Sequence, residues 1–347
     1  MNKKTEYEQL HFEFEENITH KPDSIYLKKF NLTPTAIYDT YWEFAVKRQN
    51  IFWKKKNQEK YPWTDDNILS EYKFTNAYRA SDRVSQYLIK NIIYTKEYKS
   101  FTPEDIFFRI LLFKLFNKVE TWELLEESLC VIDYKTYSYK TYDEILTKAL
   151  NNGFKIYSAA YIMPSGNMYG YDKKHKNNLM MLEQMMNDKI TAKIAGAKSL
   201  EDLFHILLDY PSLGKFLAFQ YAIDLNYSEL CDFSEMEYVV AGPGAKSGIS
   251  KLFSDKGKYS DEDIIKIMSE IQEHEFERLD LNFKYLGDRK LQLIDCQNLF
   301  CETDKYTRVL YPEFKGTSDR KRIKQLYRPN IYKPIEYFYP PKWGINI

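Results

Sequence analysis

The sequence predicts an all-α protein. Three observations carry this reading: apolar residues recur at helical spacing along most of the chain, Ser or Thr caps open several of those runs, and Gly or Pro breaks close them. Residues 1–33 read as a polar, acidic arm. Residues 34–347 read as a single helical domain of two half-lobes with a cleft between them and a basic C-terminal tail.

At 44% hydrophobic and 29% charged, the chain of 347 residues can bury a sizeable core. Its formal net charge of +0 argues against polyanion binding by the whole surface, so a DNA partner needs a local basic face. No apolar run approaches the ~20 residues of a membrane span. The start, MNKKTEYEQLHFEFEEN, has no apolar core of a signal peptide. Cys130, Cys231, Cys296 and Cys301 lack CxxC pairing, which predicts free thiols in a reducing compartment and no zinc. The expectation is a cytoplasmic monomer with no membrane partner, no metal and no cofactor.

From about Thr35 to Lys56, Ile37, Tyr41, Phe44, Ala45, Ile51 and Phe52 form an approximately helical stripe with a basic end, Lys47, Arg48 and Lys54–Lys56. That end is a solvated face or a phosphate contact. Thr75 to Ile93 reads as another helix, with Tyr78, Val84, Leu88 and Ile92 on one side and Arg79, Asp82, Arg83 and Gln86 on a neighbouring face. Two arginines that close tolerate each other best around a carboxylate or a phosphate. The cluster is an ion-pair network or a contact to nucleic acid or substrate.

Thr102 as N-cap, Pro103 at the first position and Glu104 and Asp105 in the first turn start a helix. It is apolar almost all round from Ile106 to Phe116 and should be central. Asn117 marks its end, and Thr121 and Trp122 begin the next. Thr141 to Gly166 reads as helix, break at Asn151-Asn152-Gly153, helix and loop. The stretch Tyr161 to Tyr171 lines a pocket and stacks on a base, or simply packs. HKNNLMMLEQMMNDKITAKIAG forms one more helix, with Leu179, Leu182 and Met186 in the core.

A helical hairpin follows. Ser199 caps with Asp202 three residues on, and Leu203, Phe204, Ile206, Leu207 and Leu208 give an apolar face. Pro211-Ser212-Leu213-Gly214 breaks the helix; Gly214 can take positive φ or admit another backbone. A second helix runs from about Lys215 to Leu225, and its first-turn N–H groups can bind a DNA phosphate. Asp232 lies eighteen residues after Gly214.

Gly242, Gly244 and Gly248 allow close backbone approach without a dinucleotide or P-loop spacing. They make a phosphate nest or a tight helix start. Asp261 to Arg278 is a helix. LQLIDCQNLFCETDKYTRVL then sets Asp295, Gln297, Asn298, Glu302, Asp304 and Lys305 among apolar residues, as a buried network or a substrate pocket. From Lys315 the tail is basic, with Lys321, Arg322 and Lys324 as phosphate-facing candidates beside the reading of a solvated charge run.

The hairpin layout is similar to that of the helix-hairpin-helix DNA glycosylases. The blocks YRASDRVSQYLI, FFRILLFKLFNKVETWE, FSEMEYVVAGPGA and LIDCQNLFCETDKY resemble the alpha-glutamyl/putrescinyl thymine pyrophosphorylase family, also labelled as the helical domain associated with 5-hydroxymethyldeoxyuridine DNA kinases. The resemblance spans roughly Thr35 to Gln325. It implies a helix-hairpin-helix glycosylase-like fold and, as partner, DNA containing modified pyrimidines. Two chemistries follow from it: excision of a modified base, or displacement of pyrophosphate from a 5-substituted uracil by an amine.

Both require the target base out of the stack. Asn117 matches the family's wedge position, or caps its helix. Excision develops oxocarbenium character at the sugar, which a carboxylate stabilises. Asp232 is first by position and Glu235 next; Asp232 also suits an N-cap. Asp295 contacts the base or its decoration. Gly214, Lys215, Arg79, Arg83, Lys321, Arg322 and Lys324 would grip DNA, and Gln86, Tyr161, Gln297, Asn298, Glu302 and Lys305 would line the base pocket. Lyase-type members place a lysine two residues after the hairpin glycine; here that position is Phe216, with Lys215 one residue early. The leading expectation is therefore a monofunctional glycosylase that releases a hypermodified or glucosylated 5-hydroxymethyl pyrimidine, leaving an abasic site, in defence against phage. The alternative is the amine transferase, with the Asp295–Lys305 polar set as its amine site. It would work beside a kinase in a separate protein, because the sequence has no Walker A motif. A third reading is a non-catalytic DNA-binding module.

Overall fold

The computed structural model describes residues 23–158, 167–318, 320–329 and 335–345. Most of them are helical, and the described strands are two. Helix α1 (Ile25–Lys29), capped by Ser24, leads to β1 (Thr33–Pro34), which pairs antiparallel with β2 (Phe253–Asp255). Helix α2 (Thr40–Lys56) buries Tyr41, Phe44, Ala45, Ile51 and Phe52 of the expected stripe. In the short α3 (Asn67–Glu71), the Asp66 carboxylate accepts from the N–H groups of Ile68 and Leu69.

The stretch expected as one helix from Thr75 divides. Residues 75–78 are not helical, Arg79–Ser81 make a 3-10 turn, and α4 (Arg83–Tyr87) continues as π-helix over Leu88–Ile93. Carboxylates explain the delay. The N–H groups of Thr75, Asn76 and Arg79 donate to Glu302, Asp82 and Asp295 at 2.9, 2.7 and 2.8 Å, which satisfies them outside any helix.

Helix α5 (Pro103–Phe116) has the capping box Thr102/Asp105 and is buried nearly all round, as its sequence predicts. It ends at Asn117, which is left-handed with φ 49°. Then come α6 (Val119–Leu129) and α7 (Tyr139–Asn151). The second helix expected before Gly166 is absent from residues 154–158, and 159–166, with Tyr161, lie outside the described residues. The single helix expected after His175 is two, α8 (Lys174–Asn187) and α9 (Ile190–Gly196), divided where Lys189 turns left-handed at φ 53°. Asn187 and Asp188, weak helix formers, precede that turn.

The helical hairpin is present. Helix α10 (Leu200–Leu208) is capped by the Ser199 hydroxyl, which accepts from the Asp202 N–H at 3.0 Å, and packs on α11 (Lys215–Asn226). The left-handed residue of the turn is Ser212 at φ 69°, not Gly214, which is the N-cap at φ −77°.

Helices α12 (Pro243–Leu252), α13 (Asp261–Arg278) and α14 (Leu293–Leu310) complete the fold. The α12–α14 contact is backbone to backbone. A Cβ on Gly248 would lie 2.2 Å from the Phe300 carbonyl oxygen, and one on Gly244 2.3 Å from Cys301 Sγ. The Lys251–Asp304 ion pair, at 3.1 Å and buried, fixes the same two helices. Among the described residues no helix is long and apolar enough to cross a membrane, and all four cysteines are free thiols.

Candidate functional site

Helix α14 presents its polar first turn to the segment that precedes α4. Asp295, the third residue of the helix, closes a capping box: one carboxylate oxygen accepts from the Gln292 N–H at 3.0 Å, the other from the Arg79 N–H at 2.8 Å. Burial raises its pKa to about 7 against those two hydrogen bonds, and the charge of Glu235 pushes the same way.

Glu235, in the loop between α11 and α12, is buried. Its Oε2 pairs with Arg289 Nη2 at 3.1 Å, while Oε1 is buried with no hydrogen-bond partner among the described residues. Burial again raises the carboxyl's pKa; Arg289, Arg79 and Lys342 oppose the shift. Arg289 sits in the turn after Gly287, and its guanidinium carbon lies 3.7 Å from the centroid of the Trp343 ring. An open groove of about 780 Å³ runs past this group, lined by Met236, Gln272, Arg289, Lys290, Gln292 and Trp343 among others.

The C-terminal segment brings Trp343 here. The Phe338 N–H donates to Gln86 Oε1 at 2.7 Å, the Ser81 and Tyr339 hydroxyls lie 2.7 Å apart, and Lys342 Nζ donates to the carbonyls of Ser228 and Cys231 at 2.9 and 2.6 Å. Behind the site, Asp224 is fully buried between two cations, Arg79 Nη1 at 2.7 Å and Lys114 Nζ at 3.2 Å. Arg79 also donates to Gln220 Oε1 at 3.0 Å and to the Tyr227 hydroxyl at 2.9 Å.

The sequence candidates separate accordingly. Asp295 and Glu235 come together, whereas the Asp232 side chain is 81% exposed, 3.5 Å from Lys342 Nζ. Arg79 is interior and reaches no surface, while Arg83 is exposed and pairs with Glu120 at 3.3 Å. Asn117 is buried at the end of α5, where its side chain accepts from Lys114 Nζ at 2.7 Å, and so projects no wedge. Gln86 ties down the C-terminal segment, and its amide donates to the Ala80 carbonyl at 2.7 Å. Glu302 binds Lys305 at 2.7 Å and the Thr75 N–H. Gln297 Oε1 and Asn298 Nδ2 are buried without hydrogen-bond partners among the described residues. Gly214 and Lys215 are exposed at the head of α11, and a Cβ on Gly214 would meet nothing within 4 Å. Lys321, Arg322 and Lys324 are exposed.

Sequence reasoning missed Arg289, Trp343, Asp224 and Lys114. The last two carried a signal: a lysine and an aspartate inside two otherwise apolar helices must find each other or another partner.

Residues 35–316 match the family described as "5-hmdU DNA kinase, helical domain". A 5-hmdU DNA kinase of Bacillus phage SP10 is 25% identical over 324 residues, covering 87% of this chain and 50% of that protein. The chain thus spans half the length of that relative. No solved structure matches. Both matches name a phosphorylating enzyme of 5-hmdU DNA. They overturn the leading expectation of a monofunctional glycosylase, and with it hydrolysis to an abasic site and the defence role attached to excision. The alternative, group transfer on a modified thymine, agrees better with them.

Proposed function

The chain belongs to the 5-hmdU DNA kinase helical-domain family, and from that membership we propose that it is a group-transfer enzyme acting on DNA whose 5-hydroxymethyluracil carries a phosphate or pyrophosphate. An amine nitrogen bonds to the 5-methylene carbon as the C–O bond breaks. The phosphate or pyrophosphate leaves with the electron pair of the C–O bond, the nitrogen's proton passes to a carboxylate, and the glycosidic bond stays intact.

The single observation that carries the reading is Arg289 at the groove, bound to a buried carboxylate whose second oxygen has no hydrogen-bond partner among the described residues. A guanidinium is suited to a phosphate leaving group. A carboxyl with a raised pKa is suited to take a proton from an incoming ammonium near neutral pH. Glu235 and Asp295 are the candidate proton acceptors and Arg289 the leaving-group cation. The helix-hairpin-helix glycosylase-like architecture belongs to the same proposal: the α10–α11 turn, with Lys215 exposed and open space at Gly214, holds the DNA backbone, and Lys321, Arg322 and Lys324 extend that face. Extrusion of the base costs a few kcal/mol, offset by these contacts. This sequence carries no G-x-x-x-x-G-K-S/T motif, and phosphorylation of the hydroxymethyl group is assigned to none of its residues.

The test uses DNA bearing 5-(pyrophosphoryloxymethyl)uracil with a primary amine. Mass spectrometry of the digested nucleosides should show the amine adduct on an intact nucleoside, with pyrophosphate released. Unchanged substrate, in protein that binds the DNA, overturns the proposal.

A further inference from the structure

A second cavity shares none of its lining residues with the groove beside Arg289. It measures about 150 Å³ and lies between α2, the Tyr61–Phe74 stretch and the C-terminal residues Tyr327 and Tyr337. Six aromatic side chains line it: Tyr61, Trp63, Tyr72, Phe74, Tyr327 and Tyr337. So do four cations, Arg48, Lys55, Lys73 and Arg83, against the one carboxylate of Asp82.

Several groups here have unused bonding capacity. Arg48 is buried, 6% exposed; its Nε donates to the Thr75 carbonyl and its Nη2 to Asn76 Oδ1, both at 2.8 Å. Nη2 also donates to the Phe74 carbonyl at 3.5 Å, and among the described residues Nη1 makes no hydrogen bond. Asp82 accepts from the Asn76 N–H at 2.7 Å through one oxygen, and among the described residues its second oxygen makes no hydrogen bond. Lys55 has no ion pair among the described residues; its ammonium lies 4.8 Å from the centroids of both Trp63 and Tyr327. Burial, then the neighbouring charge of Arg48, lowers the Lys55 pKa to about 8. A cation pressed by burial and by a like charge is relieved by an arriving anion.

We propose that this cavity binds a pyrimidine nucleotide, its ring among the aromatic walls, its edge against Arg48 Nη1 and Asp82, and its phosphate at Lys55 and Lys73. Size selects the ring: an apolar cavity of about 150 Å³ is known to hold one benzene. Chemistry selects the edge. Thymine and uracil offer a carbonyl acceptor beside the N3–H donor, which matches a guanidinium N–H beside a carboxylate oxygen. The aromatic lining supplies stacking and the cation excess supplies phosphate attraction. The nucleotide comes either free in solution or as one unit of single-stranded DNA. The inference stands apart from the transferase reading, because no residue is shared between the two sites.

Calorimetry on the full chain at pH 7.5, above the pKa of Asp82 at about 7 and below that of Lys55 at about 8, with dTMP, dAMP, inorganic phosphate and an oligothymidylate is the test. Expected are binding of dTMP or of the oligothymidylate at one site per chain, at least tenfold preference over dAMP and phosphate, and at least tenfold loss in Lys55→Gln. Tight dTMP binding identifies a free nucleotide as the source; binding of the oligothymidylate alone identifies DNA. Asp82→Asn, which keeps its bond to the Asn76 N–H, should turn the preference toward dCMP. Equal binding of dAMP or phosphate, or binding indifferent to both substitutions, overturns the proposal. Since Lys55 and Asp82 lie outside the Arg289 groove, failure here leaves the transfer assay untouched.

Discussion

Arg289 reaches Glu235 at 3.1 Å, so the guanidinium at the groove and the buried carboxylate form one unit. Each holds the other ready, and removal of either has a distinct signature. Glu235→Gln keeps the side chain's shape and takes away a proton acceptor. Transfer should fall by about 10²–10⁴-fold with DNA affinity unchanged. Arg289→Met instead strands a buried charge and should cost about 3–5 kcal/mol of stability. The double variant should be more stable than Arg289→Met alone, a coupling that urea denaturation of the four proteins will measure.

Asp295 makes stability depend on pH in an unusual direction. The folded chain holds its proton up to about pH 7, whereas an unfolded aspartate releases it near pH 3.9. Between those values the native state binds more protons than the unfolded one. Stability therefore declines as pH rises through that window, on the order of 4 kcal/mol for this residue. Asp82, raised to about 7 by burial, slopes the same way. The readout is accordingly the difference between wild type and Asp295→Asn at pH 5 and pH 7.5; the wild type should lose more on going to pH 7.5.

Asp224 neutralises two buried cations at once. Asp224→Asn should lower the urea midpoint by the equivalent of about 3 kcal/mol or more, because Arg79 and Lys114 are left facing each other in the interior. An unchanged midpoint would show that the network is dispensable.

Gly248 stands where α12 meets the backbone of α14. In Gly248→Ala the new methyl would press on the Phe300 carbonyl, and α14 would have to move. A loss of about 1–3 kcal/mol is expected, read as a fall in thermal midpoint.

Helix-forming segments were legible wherever the pattern was local. Thr102–Pro103 and Ser199–Asp202 announce their helices, and the apolar run of α5 announces its burial. The pattern failed where a distant carboxylate intervened. Nothing near Thr75 indicates that Glu302 and Asp295 will take its neighbourhood's N–H groups and hold off a helix until Arg83. The site divides along the same line. Glu235 and Asp295 were reachable from position and composition. Arg289 and Trp343 were not: one sits in a short turn, the other in an extended tail, and only the folded chain sets them side by side.

That tail has an optical consequence. Of the five tryptophans, Trp42 and Trp122 are sealed in the core, Trp53 and Trp63 hold lysines against their rings away from the groove, and Trp343 is partly exposed at the groove with Arg289 against its ring. An anion that draws Arg289 away changes the electric field on the indole. An emission change seen in the wild type and lost in Trp343→Phe then reports occupancy of the groove.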